Sequence, residues 1–154
     1  MIGDFFQTIF WAALPVTELR AALPVAIAVY HLPVWLAFLA AIIGNALPVF
    51  LIYGFLPPIL RYLQTHGGCM HRWMCRYLEF LNRRHRGAYE RWGSIALAIF
   101  VAIPLPGTGV WTAGVLAVLF GVRKRYGIPA ILVGMVGAGL MVLALTQGGM
   151  ALFD

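Results

Sequence analysis

The sequence predicts an all-α integral membrane protein made of two inverted repeats, each a re-entrant helical hairpin followed by a transmembrane helix, with a basic amphipathic segment between them. Three observations predict this class: the composition, the length of the apolar stretches and the placement of the basic residues. Of the 154 residues, 62% are hydrophobic and only 10% are charged. A soluble domain carries about a quarter charged residues, so this composition does not suit a water-facing surface.

Three apolar stretches are close to or above the ~20 residues that a helix needs to cross a bilayer. They are Pro33–Phe55, Ile95–Phe120 and Ile128–Leu145. Proline is tolerated inside membrane helices, so Pro48 predicts a kink in the first stretch, which we expect Pro57 and Pro58 to end. Asn45, in the same stretch, predicts a hydrogen bond between helices.

The basic residues decide the predicted topology. Ten of the 11 Lys and Arg residues lie in two blocks, at 61–91 and 123–125. If Ser94–Val122 crossed the membrane fully, these blocks would lie on opposite faces, against the tendency of basic loops to stay in the cytoplasm. A re-entrant hairpin at Ser94–Val122 keeps both blocks cytoplasmic.

The segment lengths agree with two such hairpins. At ~1.5 Å per residue, each arm is about half a bilayer long; the arms are Phe5–Leu14, Ala21–Tyr30, Ser94–Ile103 and Val110–Val122. We expect the two hairpins to enter the membrane from opposite faces, as in an inverted repeat. Residues 1–154 then form one membrane domain with two halves, 5–60 and 94–150, joined by the basic segment 61–92. Ala13-Leu-Pro15-Val echoes Ala102-Ile-Pro104-Leu at the two hairpin tips.

Two charged residues inside the first hairpin predict a substrate or ion site. Glu18 and Arg20, next to Thr17, stand in an apolar stretch between Pro15 and Pro24. Charges inside a membrane cost at least ~2.5 kcal/mol each and usually face a cavity or a partner. We expect Arg20 to meet an anionic group and Glu18 to carry a proton; the alternative is a structural salt bridge that pins the hairpin.

The second hairpin tip predicts a site made of backbone. Pro104 and Pro106 lack an N–H, while Gly107 and Gly109 allow close approach of other groups. Such a break frees carbonyls at the end of one half-helix and N–H groups at the start of the next, and Thr108 adds a hydroxyl. The alternative is a tight turn without a ligand.

The basic segment alternates aromatic residues with arginines at helical spacing. That pattern predicts a helix in the headgroup plane whose arginines reach lipid phosphates; a cytoplasmic helix packed on the bundle is the alternative. The predicted membrane-surface residues are Arg72, Arg76, Arg83, Arg84 and Arg86. In the same region His66, Cys69, His71 and Cys75 match no standard zinc spacing, so we expect no metal.

The sequence also excludes several functions. It contains no phosphate-binding glycine loop, no metalloprotease helix motif and no nucleophile elbow, so we expect neither an enzyme nor a cofactor. The net charge of +6 is explained by the basic blocks beside apolar stretches, so we expect membrane lipids and not nucleic acid as partners. Gly134, Gly137 and Ala138 suit close helix packing and predict a homo-oligomer.

Two stretches resemble a known family. Thr17-Glu-Leu-Arg-Ala-Ala-Leu-Pro24 is similar to a Glu-Leu-Arg-Gly-Ala-Ile-Pro segment, and Pro104-Leu-Pro-Gly-Thr-Gly-Val-Trp-Thr112 to a Pro-Leu-Pro-Gly-Thr-Gly-Ala-Trp-Thr block, of the small multidrug export proteins of bacteria and archaea. The resemblance implies export across a prokaryotic cytoplasmic (inner) membrane.

A more remote likeness joins Pro15-Val-Thr-Glu18 and Leu23-Pro24 to the Pro-Ser-Glu…Leu-Pro element of DedA-type membrane proteins. That likeness implies transport of polyprenyl-phosphate lipid carriers. The arginines that flank the second-hairpin proline in those proteins are missing here, so only Glu18 and Arg20 carry over.

The functional prediction is therefore a transporter of a small amphipathic or anionic substrate, with proton coupling and a site between the hairpin tips. A translocase of a lipid phosphate is the second hypothesis. A scaffold or membrane-stress protein that transports nothing is the third, and in it Glu18 and Arg20 only lock the fold.

Overall fold

The computed structural model describes residues 1–66, 86–104 and 107–153, and the regular elements of these residues are all α-helices, which confirms the predicted all-α class. Six helices lie in the described ranges: α1 (Ile2–Ala13), α2 (Glu18–Ala28), α3 (Val34–His66), α4 (Arg86–Ala102), α5 (Val110–Leu119) and α6 (Lys124–Phe153).

Proline sets the ends of the two helices that precede the breaks. Leu14 stands before Pro15 and has extended backbone angles, φ −77° and ψ 144°, so α1 ends at Ala13. The ring of a proline disfavours the helical conformation of the preceding residue. Ile103 stands before Pro104 in the same way, and α4 ends one residue earlier.

Two of the described helices are long and apolar enough to cross a bilayer. They are the 29 residues Val34–Tyr62 and the 26 residues Lys124–Gly149, with mean hydropathies of 2.2 and 2.4 in their most apolar windows. Only 44% and 33% of those windows are buried inside the molecule. Several of the other apolar side chains, such as Leu51 and Leu140, are at least half exposed, and lipid accommodates them better than water does.

The predicted break in the apolar stretch Ile95–Phe120 is present. Trp92–Ala102 and Val110–Leu119 are two short apolar helices, not one span. The end predicted at Pro57 and Pro58 is wrong, because α3 continues through both prolines to His66. Proline fixes φ near the helical value, and the packing of α3 against α1, α2, α5 and α6 holds the helix together across the hydrogen bonds that these prolines lack.

Glycine allows the closest helix pairs to form. The most extensive packing joins α1 to α3 and α4 to α6. Gly44 of α3 faces the backbone carbonyl of Ile9, and Gly134 of α6 faces the backbone carbonyl of Ala98. A Cβ atom at either glycine would lie closer than 3.0 Å to that carbonyl oxygen, so only glycine lets the backbones approach so closely.

The two long helices run antiparallel. The ring of Phe38, near the start of α3, packs on Gly139 in the later part of α6. The hydroxyl of Tyr53, further along α3, lies beside Gly127 near the start of α6 and donates to the Val122 carbonyl at 3.4 Å. Around this pair, α2 packs on both long helices, and so does α5.

The small residues of α6 are used inside the chain. Gly134 contacts α4, a Cβ at Gly137 would meet the Ala102 side chain at 3.5 Å, and Ala138 is 4% exposed. These residues therefore build the protomer itself, and the homo-oligomer stays a prediction that needs another surface.

Candidate binding site between the two helix breaks

The first break holds a residue in an unusual backbone conformation. Glu18 has φ +47°, a left-handed value that side chains other than glycine rarely adopt. The preceding Thr17 donates its hydroxyl to the Trp11 carbonyl at the end of α1. This bond satisfies one of the carbonyls left free at a helix end and folds the break back on α1, so that Glu18 begins α2.

Arg20 crosses from the first break to the second. Its guanidinium donates to the Thr108 hydroxyl at 2.9 Å and to the Ile103 carbonyl at 3.3 Å. The Thr108 hydroxyl in turn donates to the same carbonyl at 2.7 Å. The end of α4 leaves this carbonyl free of helical partners, so it attracts the positive charge of Arg20.

Glu18 crosses in the same direction and meets the start of α5. Its carboxylate lies directly against Gly109, whose missing side chain provides the room. The backbone N–H of Trp111, in the first turn of α5, donates to this carboxylate. Free N–H groups and the positive end of the helix dipole stabilise an anion at this place.

A further bond runs between the breaks without charged groups. The indole N–H of Trp111 donates at 3.1 Å to the carbonyl of Ala13, which is the last residue of α1. Three residues, Glu18, Arg20 and Trp111, thus join two segments that are about 90 positions apart in the chain. The two breaks form a single polar centre.

An open cleft of about 440 Å³ lies beside this centre. Glu18 and Arg20 are the charged residues among those that line it. The other lining residues are Pro15, Val16, Thr17, Ala21, Gly107, Trp111 and Thr112. A cleft of this size fits a small molecule, and its few convergent polar groups among apolar ones are typical of ligand sites.

The structure brings most of the predicted site residues together. Thr17, Glu18, Arg20 and Gly107 line the cleft, while Thr108 and Gly109 contact Arg20 and Glu18. Pro104 is described but is not among the residues that line the cleft. It stands two residues after the last residue of α4. Pro106 lies outside the described residues.

The predicted membrane-surface residues and the His/Cys cluster lie largely outside the described residues. Arg72, Arg76, Arg83, Arg84, Cys69, His71 and Cys75 lie outside the described residues. Arg86 begins α4 and His66 ends α3, with their side chains outside the described part.

Sequence reasoning missed Trp111. The available signal for Trp111 was its place in the first turn after Gly109, where N–H groups are free. Asn45 is buried as predicted for a contact between helices, but its amide oxygen has no hydrogen-bond partner among the described residues.

The fold and this centre define a small helical membrane protein with two long apolar helices and two helix breaks that meet at charged residues. A family model described as "Putative small multi-drug export protein" matches residues 18–141. The chain belongs to this family. No curated protein and no solved structure matches the chain.

Proposed function

We propose that this protein exports a small amphipathic or anionic compound across a prokaryotic inner membrane, with the substrate held in the cleft between the two hairpin tips. The observation that carries the proposal is the pair Glu18 and Arg20, which line an open cleft of about 440 Å³ in a largely apolar chain. Burying two charges in a membrane is costly unless they have a task or a partner. Here both have bonds across the molecule and also face the cleft.

An inverted repeat of two re-entrant hairpins explains how the site is placed. Matching features recur 89 or 90 positions apart: the helix ends Ala13 and Ala102, the positive φ angles of Glu18 and Gly107 and of His31 and Gly121, the helix starts Val34 and Lys124, and the close contacts of Gly44 and Gly134. The antiparallel long helices support an inverted relation between the halves. Transporters built in this way bind substrate near the bilayer midplane, between the repeats.

The position of the polar centre along the long helices supports half-depth hairpins. Glu18 and Arg20 share a small cavity with Asn45 of α3 and with Met135 and Ala138 of α6. These three residues lie toward the middle of the spans Val34–Tyr62 and Lys124–Gly149. The hairpin tips would therefore lie far from either headgroup layer, with the basic segments on the cytoplasmic side.

In this proposal Arg20 attracts the anionic part of the substrate and Glu18 carries the coupling proton. Arg20 offers several N–H donors in a fixed plane, which suits phosphate and carboxylate groups. When Glu18 is protonated, the attraction between Glu18 and Arg20 is lost, so Arg20 becomes available to a substrate anion. Binding of proton and substrate would then be linked through this one pair.

The test is transport by purified protein in liposomes, with anilinonaphthalene sulfonate, a small anionic amphipathic dye, and a fluorescent polyprenyl phosphate as alternative probes and an imposed pH gradient. We expect export of at least one probe, and loss of that export in Glu18→Gln and Arg20→Ala variants that retain wild-type helix content. Gly137→Ala is a matched control, because its new methyl group makes only an ordinary contact.

The outcomes separate the three hypotheses. Transport of the lipid phosphate that Arg20→Ala abolishes identifies a translocase of lipid phosphates, whereas transport of the small dye alone identifies an exporter of small amphipathic compounds. No transport of either probe, together with unfolding of both charge variants, contradicts the proposal and leaves Glu18 and Arg20 as a structural lock.

A further inference from the structure

Asn45 carries an unsatisfied polar atom in the centre of the molecule. The residue lies on α3 and is 4% exposed, and its amide oxygen is the only buried side-chain polar atom without a hydrogen-bond partner among the described residues. Buried polar groups nearly always have a partner, and an acceptor left alone carries the full cost of losing water. The Asn45 oxygen therefore lacks the hydrogen-bond donor that a buried acceptor needs.

Asn45 faces a small cavity that also contains the two charged residues. The cavity has a volume of about 10 Å³, about the room that one water molecule needs. Its polar wall consists of Glu18, Arg20 and Asn45, and apolar residues such as Val101 and Met135 close it. Glu18 and Arg20 line both this cavity and the open cleft, so they separate the two.

The two protonation states of Glu18 need different partners. An ionised carboxylate only accepts hydrogen bonds; it is satisfied by the Trp111 N–H, with Arg20 as the nearby positive charge. It has nothing to donate to the Asn45 oxygen. A protonated carboxyl group gains one O–H donor, and Asn45, which carries the unpartnered oxygen, lines the same cavity.

We propose that Glu18 and Asn45 form a buried proton-binding site, in which the amide oxygen of Asn45 accepts a hydrogen bond from protonated Glu18, directly or through one water molecule. A proton arriving from the cleft forms an O–H bond on the carboxylate. The bond from the Trp111 N–H weakens, and the new O–H turns to Asn45. Among the described residues that line the cavity and the cleft, Arg20 is the other charged group.

Asn45 is a positioning residue in this proposal, since it acts on the proton only through Glu18. The inference rests on the proposed function in one respect, the role of Glu18 as proton carrier. It adds what holds the proton and where: an uncharged acceptor on a long helix, on the side of Glu18 that faces away from the cleft. Loss of a proton from this site would restore the bond between Glu18 and the second hairpin.

The experiment is an infrared titration of the purified full-length protein in lipid, following the carbonyl band of protonated carboxyl groups. The chain has only five Asp and Glu residues, so Glu18→Gln identifies the band of Glu18. We expect Asn45→Leu to lower the midpoint of this band by about one pH unit, a tenfold loss of proton affinity. Asn45→Ala serves the same purpose if the larger side chain prevents folding.

Two controls make the test specific. Thr8→Val also replaces a buried polar residue, whose hydroxyl donates to the Asp4 carbonyl at 2.7 Å, and we expect it to leave the Glu18 midpoint unchanged. Asn45→Ser keeps an acceptor and should stay closer to the wild type than Asn45→Leu. An unchanged midpoint in Asn45→Leu and Asn45→Ala overturns the inference, and so does a midpoint that moves with sodium concentration, since that identifies a metal cation.

The titration does not depend on transport. A shifted midpoint in a protein that moves no substrate supports the proton site and contradicts the exporter. Transport by the wild type, together with an unshifted Glu18 midpoint in the Asn45 variants, supports the exporter and contradicts the proton site.

Discussion

Gly109→Ala tests the contact on which the polar centre depends. The backbone of Gly109, φ −79° and ψ −178°, is as suitable for alanine as for glycine. The nearest obstacle is the Glu18 carboxylate, because a Cβ atom would lie closer than 3.0 Å to both of its oxygens. An ordinary contact between carbon and oxygen is about 3.3 Å or longer, so the carboxylate has to withdraw.

This withdrawal removes the bond between the Trp111 N–H and Glu18. A hydrogen bond to a charged group contributes about 1.5–3 kcal/mol, which corresponds to a loss of about 10- to 100-fold if the bond acts in transport. The stability should change less, because the end of a flexible side chain can move aside. We expect Gly109→Ala to keep its helix content and unfolding temperature and to lose transport in liposomes.

A second change shows whether the steric argument is right. Glu18→Asp shortens the side chain by one methylene group, so it should recover part of the transport when combined with Gly109→Ala, although it lowers transport alone. Gly137→Ala, with its ordinary contact at 3.5 Å, should behave as wild type. Wild-type transport by Gly109→Ala, or equal loss in Gly137→Ala, would refute the reasoning.

Three further predictions concern stability, measured by thermal or denaturant unfolding in detergent. Gly44→Ala and Gly134→Ala should each lower the free energy of unfolding by about 1–3 kcal/mol, because the added methyl group meets a backbone carbonyl of the neighbouring helix. Gly54→Ala is the control, since a Cβ there would have nothing within 4 Å. Equal stability of the three variants would contradict the prediction. Trp111→Phe should cost about 1 kcal/mol through the lost bond to the Ala13 carbonyl, whereas Trp92→Phe, 71% exposed, should change little. Gly121→Ala should cost about 1 kcal/mol because φ is +71° with open space around the residue; an unchanged unfolding temperature would show that this turn adapts.

Much of the site could be predicted because its ingredients are local. Helices end just before Pro15 and Pro104, since the ring of a proline disfavours the helical conformation of the preceding residue. Charges in an apolar stretch are visible without a structure, and so are Gly107 and Gly109. What remained open was the partner of each charge: Glu18 and Arg20 are two positions apart, yet both reach the second break, 83 to 93 positions later.

By itself, the sequence determined the class of the protein and the two helix breaks that begin before Pro15 and Pro104, because hydropathy and proline act over short distances. Only the tertiary structure decided that α3 runs on through Pro57 and Pro58, that Trp111 joins the two breaks, and that Asn45, with an unpartnered amide oxygen, lines the same small cavity as Glu18. These facts follow from the antiparallel packing of α3 and α6, which brings distant segments to the same depth. Contacts across the fold depend on that packing, and no local pattern in the chain encodes them.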